Sequence, residues 1–226
     1  MHGFLQFLLF FVFLGQISSD HDIWEVVAGN ERYKRYVIRT KRWKKDVLSW
    51  SLSGDNLKES DRFLIRNTLH RAFNEWERVS SLRVEEITTP NADIKIAFEK
   101  EKHNDGYDFD GRNGVVAHAF YPRDGRLHFD ADEQWSLNSN EGVNLFQTSV
   151  HEIGHLLGLE HSVDPRAAMY AAKKPYDPKF GLGDDDVRAI RALFPLKMDN
   201  VDEVQDDPFD DKDKHAARED YYRGLI

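Results

Sequence analysis

Cysteine is absent from the 226 residues. That absence excludes a disulfide framework, a thiol nucleophile and a thiolate metal site. A basic surplus is missing too: 31 Lys and Arg against 40 Asp and Glu leave a formal charge of −9, which argues against a nucleic-acid binder. Long apolar runs are confined to one place. Residues 4–14, FLQFLLFFVFL, form a block of about 11 residues, too short to span a bilayer and right for a signal-peptide core. Its phenylalanines follow no amphipathic period, which counts against a buried N-terminal helix. Small polar residues follow, and cleavage near Ser19 is expected. No Asn-x-Ser/Thr acceptor and no internal repeat occur. The remainder is ordinary for a soluble globular chain, with 40% hydrophobic and 31% charged residues. The length suits one packed domain with appendages.

Four segments are expected: a signal peptide over 1–19, a short pro-segment over 20–42, a folded domain over 43–195 and a tail over 196–226. The pro-segment ends in Arg39-Thr40-Lys41-Arg42, a pattern that furin-like proprotein convertases cut after the last Arg. The tail carries about −5 of the net charge and little to bury, so disorder is expected there. Inside the domain, residues 47–52 alternate as a strand. SDRFLIRNTLHRAFNEWERVS spaces Phe63, Leu69, Phe73, Trp76 and Val79 for a helix, with Ser60 as N-cap. LRVEEI and ADIKIAF read as strands, Ala92, Ile94, Ile96 and Phe98 alternating. Further strands are expected at 115–121 and 126–129. Helices are expected over 143–157 and over DDDVRAIRALF, whose first-turn acids suit the helix dipole.

The chemistry concentrates in HEIGHLLGLEH, residues 151–161. Residues four apart share a helix face, so His151 and His155 can present imidazoles to one metal ion. Gly158 permits a positive φ, which lets the helix stop and the chain turn back. His161 then arrives as a third ligand, and a catalytic zinc site takes three protein ligands and one open position. Glu152 sits one position round the helix, placed to activate a zinc-bound water as general base and to pass the proton to the leaving amine. A helix with coincidental histidines is the bland alternative; the extension through Gly158 and His161 disfavours it.

The string HExxHxxGxxH resembles that of the metzincin metallopeptidases, and Ser162 after the third histidine looks like the matrixins, the matrix metalloproteinase family. DPRAAMY resembles their Met-turn, with Met169 as an apolar floor. The resemblance covers residues 43–194. It implies an α+β zincin domain with a twisted mixed five-stranded sheet and three helices. A second stretch, HNDGYDFDGRNGVVAHAFYPRDGRLHFDADEQW, resembles the matrixin segment that holds structural ions. By that resemblance His103, Asp105, His118 and His128 match structural-zinc ligands, a donor set suited to a closed tetrahedral site. Asp110, Gly111, Asn113, Val115, Asp130 and Glu133 match a calcium site of carboxylates and carbonyls. Two zinc ions and at least one calcium are therefore expected. The loop before His128 is about three residues shorter than in typical matrixins, which puts a second calcium site, with the Asp93 carbonyl, in doubt; Asp124 is the available substitute.

For substrate, the resemblance implies an extended peptide pairing with an edge strand near Val116 and Ala117. Gln147 matches a position that sets the depth of the specificity pocket, where a polar residue would shorten or wet it. Ala171 stands where the family has Pro, implying a looser outer wall. Asp185 and Asp186 match an acid pair able to anchor a newly cut N-terminus, here that of Trp43. Family latency by a propeptide cysteine is excluded; a carboxylate or imidazole from Asp20, His21, Asp22 or Glu25 is the alternative zinc blocker. No hemopexin-like repeat is expected. The expected protein is thus a secreted, monomeric zinc endopeptidase acting on extracellular proteins, the extracellular matrix among them. It would be activated by a furin-like protease and have no nucleic-acid or membrane partner. The rivals are a zinc-stabilised binding protein and a metzincin acting on something other than matrix.

Overall fold

Alternating burial builds the sheet. In a computed structural model that describes residues 38–39 and 41–196, β1 (Val47–Leu52) turns Leu48 and Trp50 fully inward, and β3 (Ile94–Glu99) does the same with Ile94, Ile96 and Phe98. The remaining strands of the main sheet are β2 (Arg83–Glu86), β4 (Ala117–Ala119) and β5 (Arg126–Asp130). Their order is β2-β1-β3-β5-β4, parallel throughout except for β4, which runs antiparallel to β5 at the sheet edge. A two-residue pair, β6 (Trp135–Ser136) with β7 (Val143–Asn144), precedes the second helix. The three helices are α1 (Glu59–Glu77), α2 (Leu145–Leu157) and α3 (Asp184–Leu193). The mixed five-stranded sheet and three helices match the expected α+β class.

Two indole rings organise the core. Trp50 lies edge-on to His70 and against Phe73, which seats α1 on the sheet. Trp76 is fully buried, and its indole N–H donates to the Val150 carbonyl at 3.1 Å, stapling α1 to α2. Close approach there needs Gly154. A Cβ at that position would lie 2.2 Å from the Met169 sulfur and 3.0 Å from the Trp76 ring, so the bare helix face lets α1, α2 and the Met169 turn meet.

Several sequence expectations need correction. Ser60 is not the N-cap of α1; Lys58 occupies that position and Ser60 donates to Asp61 inside the first turn. Phe63 is 67% exposed rather than part of the core. The buried stripe is Thr68, Leu69, Ala72, Phe73 and Trp76, and six residues of helix put Phe63 roughly 120° round from Leu69. The strand expected over 115–121 is only three residues long, although Val116 still accepts from the Asp130 amide and Phe120 still donates to Arg126. No helix among the described residues is long and apolar enough to cross a membrane. The expected signal peptide, most of the pro-segment with its four latency residues, and the acidic tail beyond Leu196 lie outside the described residues.

Trp76→Ala should lose about 3–5 kcal/mol of stability by opening a core cavity, whereas Phe63→Ser should stay within about 0.5 kcal/mol. Urea denaturation of both variants checks the contrast, and equal losses would refute this account of the core.

Candidate metal centre

α2 begins with a firm cap: the Asn144 side chain accepts from the Gln147 amide at 3.0 Å. It ends at Gly158, whose φ of 108° only glycine adopts without strain. Between these ends His151 and His155 stand one turn apart, and the reversal at Gly158 returns His161 to them. The donor atoms of the three imidazoles lie within 4.8 Å of one another. Each helical ring is oriented by a carbonyl. His151 Nδ1 is 2.8 Å from the Ala168 oxygen, and His155 Nδ1 is 2.8 Å from the Leu159 oxygen. A carbonyl only accepts, so each Nδ1 carries the proton and each Nε2 carries a lone pair.

Those lone pairs make the test of fit. His155 Nε2 and His161 Nε2 face each other at 3.3 Å, close enough for one proton or one cation to be shared between them. Protonation is disfavoured. Burial pushes the His151 pKa down to about 4 and lowers His155 well below its ordinary range; His161 is lowered by burial as well. Three neutral imidazoles form the donor set of a zinc ion. Glu152 supports the same conclusion. It is 2% exposed, its Oε2 has no hydrogen-bond partner among the described residues, and burial pushes its pKa up to about 8. An unpartnered buried carboxyl oxygen is costly, and a nearby cation would relieve it.

The floor beneath these rings is tied down by α3. Asp186 accepts from the amides of Ala168 (2.6 Å), Met169 (3.0 Å) and Gly183 (2.8 Å). Met169 is buried, and its carbonyl accepts from the Ser162 amide. Ser162 also donates through its hydroxyl to Asp185 at 2.5 Å, so the residue after the third histidine links that histidine's loop to α3. The other Asp185 oxygen makes no hydrogen bond among the described residues; the Arg188 guanidinium lies 3.6 Å away.

A second donor cluster sits at the sheet edge. His118 on β4 and His128 on β5 are register partners; His103 and Asp105 reach them from the preceding loop. Asp105 Oδ2 lies 2.7 Å from His118 Nε2, 2.8 Å from His128 Nδ1 and 2.9 Å from His103 Nε2. Burial works to raise the Asp105 pKa, but bonds from the Tyr107 amide and His118 hold it at about 2. Burial lowers His128 to about 4 and lowers His118 too. One carboxylate oxygen and neutral imidazoles at these spacings fit a closed tetrahedral ion. Phe109, which sequence reasoning passed over, stacks on both His103 and His118 and walls the cluster from solvent.

The third set is looser. Among the described residues only the two imidazole groups bring three or more titratable donors within 4.8 Å. Asp110 accepts from the Val115 amide, Glu133 accepts from the Asn113 amide, and Gly111 and Asn113 hold the intervening chain in left-handed turns. Asp130 is fully buried with one oxygen unpartnered among the described residues, its pKa raised by burial and by the neighbouring carboxylates of Asp132, Glu133 and Asp110. Crowded acids with an orphaned oxygen are the donor chemistry of a hard cation. Asp124 is differently engaged: both its oxygens meet the Arg126 guanidinium, at 2.7 and 3.0 Å. A cation there would compete with an arginine.

A pocket opens beside His151 and Glu152, lined also by Gln147, Thr148 and Lys174. Gln147 does not wet it as expected. Its amide donates to the Pro175 carbonyl (3.1 Å) and accepts from the Asp177 amide (2.7 Å), which lashes the 175–177 loop to α2. Ala171 is exposed, and the wall is built by Tyr170 and Ala172 instead. Ala117 opens β4 and Val116 immediately precedes it; among the described residues β4 pairs on one side only, with β5. Upstream, Ile38 is buried in a bridge to Leu159, and the Arg39 amide donates to Gly158. The Arg39 side chain pairs with Glu160 and lies 4.1 Å over the Tyr121 ring, which is itself edge-on to His155.

Comparison with known proteins agrees with this geometry. A family profile described as Matrixin matches residues 42–195. The hatching enzyme of Paracentrotus lividus is 46% identical over 131 residues, 58% of this chain and 22% of that protein. Karilysin of Tannerella forsythia is 42% identical over 170 residues, covering 70% of this chain and 34% of its own. Matrix metalloproteinase-2 of Drosophila melanogaster is 33% identical over 186 residues, 79% of this chain and 24% of its own. The chain therefore spans between about a fifth and a third of the length of these relatives.

Elemental analysis of the purified protein should find two zinc ions per chain, and both His161→Ala and His128→Ala should reduce that to one. Loss of neither ion in a folded variant would refute the corresponding cluster as a ligand set.

Proposed function

Because the chain belongs to the matrixin family, we propose that it is a secreted zinc endopeptidase that hydrolyses peptide bonds in extracellular proteins, with Glu152 as its general base. One observation carries this reading. The imidazole nitrogens of His151, His155 and His161 converge, and Glu152, one carboxyl oxygen of which has no hydrogen-bond partner among the described residues, stands beside His151 on α2 and lines the same pocket as His151. Zinc held by the three histidines would supply Lewis acidity, polarising the scissile carbonyl and lowering the pKa of water. Glu152 takes the proton as the water oxygen bonds to the carbonyl carbon, then delivers it to the amine nitrogen as the C–N bond breaks. Its burial suits that double task, since a carboxylate with a pKa raised towards neutrality both accepts and returns a proton. The open side of β4 would receive the substrate backbone as an added strand.

The rest of the reading concerns support and processing. His103, Asp105, His118 and His128 hold a structural zinc; Asp110, Gly111, Asn113, Val115, Asp130 and Glu133 hold calcium. Residues 1–19 direct secretion, 43–195 are the catalytic domain, and 196–226 are an acidic tail. A furin-like protease cuts after Arg42, which would separate Ile38 and Arg39 covalently from the domain whose Gly158–Glu160 turn they contact. The enzyme acts as a monomer on protein substrates, extracellular matrix included.

A quenched peptide assay with and without o-phenanthroline separates this from a zinc-stabilised binding protein. Glu152→Gln should lower kcat/KM by about 10²–10⁴-fold while zinc content stays unchanged. Full activity in that variant, or activity indifferent to the chelator, would sink the mechanism. N-terminal sequencing of the secreted protein should begin at Trp43, and Arg42→Ala should abolish that terminus; a mature chain starting elsewhere argues against the convertase step.

A further inference from the structure

We infer that Lys174 closes the inner end of the pocket beside Glu152 and thereby restricts the substrate side chain flanking the scissile bond to short ones. The inference rests on the peptidase reading above and adds a specificity-determining residue to it. Two spaces meet at this lysine. The pocket beside the metal centre has a volume of about 50 Å³, and a groove of about 410 Å³ shares lining residues with it. Lys174 and Phe180 line both, which places them where the two spaces adjoin. Roughly 10–15 Å³ of such space holds one water. The inner pocket therefore takes the equivalent of a few waters, the size of a short side chain, while the adjoining groove would extend it for a long one.

The lysine is held in place. Lys174 Nζ donates to the Ala167 carbonyl at 2.6 Å, and the ammonium lies 5.9 Å from the centre of the Phe180 ring. Partial burial lowers the Lys174 pKa, and the fields of Asp186, Asp164 and Asp177 oppose that shift. On the far side the chain cannot swing outward, because Gln147 grips the backbone at Pro175 and Asp177. Lysine stems are flexible in isolation; here a carbonyl, a ring and three carboxylates oppose that freedom. Two of the pocket's polar wall residues are satisfied within the protein. Both Gln147 amide atoms and both Asn144 side-chain polar atoms are engaged within the protein. Gln147 and Asn144 therefore leave no unengaged side-chain polar atom for a substrate, and length is the property Lys174 would sort.

The test is a peptide series differing only in the flanking residue, from Ala, Ser and Val to Leu, Met and Trp. The mature protein should favour the short members, with kcat/KM for Met and Trp at least tenfold lower, a discrimination of the size that hydrophobic pockets achieve. Lys174→Ala should raise kcat/KM for the long members about tenfold or more and leave the short ones within threefold; Lys174→Arg should keep the parent profile. Binding supplies a readout that needs no turnover: in a Glu152→Gln background, Lys174→Ala should tighten the Kd of a Met peptide relative to an Ala peptide. Zinc content and melting temperature establish that each variant is folded. Should the parent already prefer long side chains, or should Lys174→Ala and the parent share one profile in both readouts, this role of Lys174 is refuted. Absence of any chelator-sensitive cleavage by the parent would overturn the peptidase reading itself, an outcome distinct from an unchanged profile.

Discussion

Convergence of three imidazole rings on one point is the constraint around which this molecule is arranged. Ring nitrogens of His155 and His161 face each other at 3.3 Å, and carbonyls at Ala168 and Leu159 keep the protons of His151 and His155 on the opposite side of each ring. Such a group is the donor set that suits a divalent cation. Holding it in readiness demands rigidity from everything nearby. The left-handed Gly158 fixes where His161 arrives, Asp186 fixes the turn that supplies the Ala168 carbonyl, and Trp76 fixes the helix carrying the first two rings. Loss of any of these would be felt first as a misplaced nitrogen.

The second cluster solves a different problem. Strand β4 has only three residues and one neighbour, too little ladder to define a firm edge. His118 on that strand and His128 on β5 are opposed across the pair, and Asp105 and His103 close over them. The cluster thus fastens the strand that, in the reading proposed here, receives the substrate backbone. Phe109 shields it, which strengthens each polar contact by excluding water. The acidic set around Asp130 extends the same logic along the neighbouring loop, where like charges and an unpartnered oxygen call for a cation rather than for one another.

Much of this was legible beforehand, and the reasons differ from residue to residue. Histidines four apart on a helix, followed by a glycine and a third histidine, leave little geometric freedom, so their convergence could be anticipated. Alternation exposed β1 and β3 for the same reason: period two admits one inward face. Phe63 misled because hydrophobicity was read without its angle; it belongs to no stripe that reaches the sheet. Gln147 misled in another way. A polar residue on a pocket-lining helix looks solvent-facing until its partners are known, and those partners, Pro175 and Asp177, lie 28 and 30 residues away.

Local spacing alone determined the three-histidine group, the neighbouring glutamate, the helix stop and the strand pattern, because each depends on residues a few positions apart whose geometry the backbone dictates. Tertiary structure decided which carbonyls orient the rings, that Ser162 and Asp186 bind the histidine loop and the Ala168–Met169 turn to α3, and that Lys174 lines two spaces at once. Those contacts join segments with no periodic relation in the chain. A hydrogen bond between distant residues leaves no trace in sequence spacing; it exists only once packing has brought its donor and acceptor within reach.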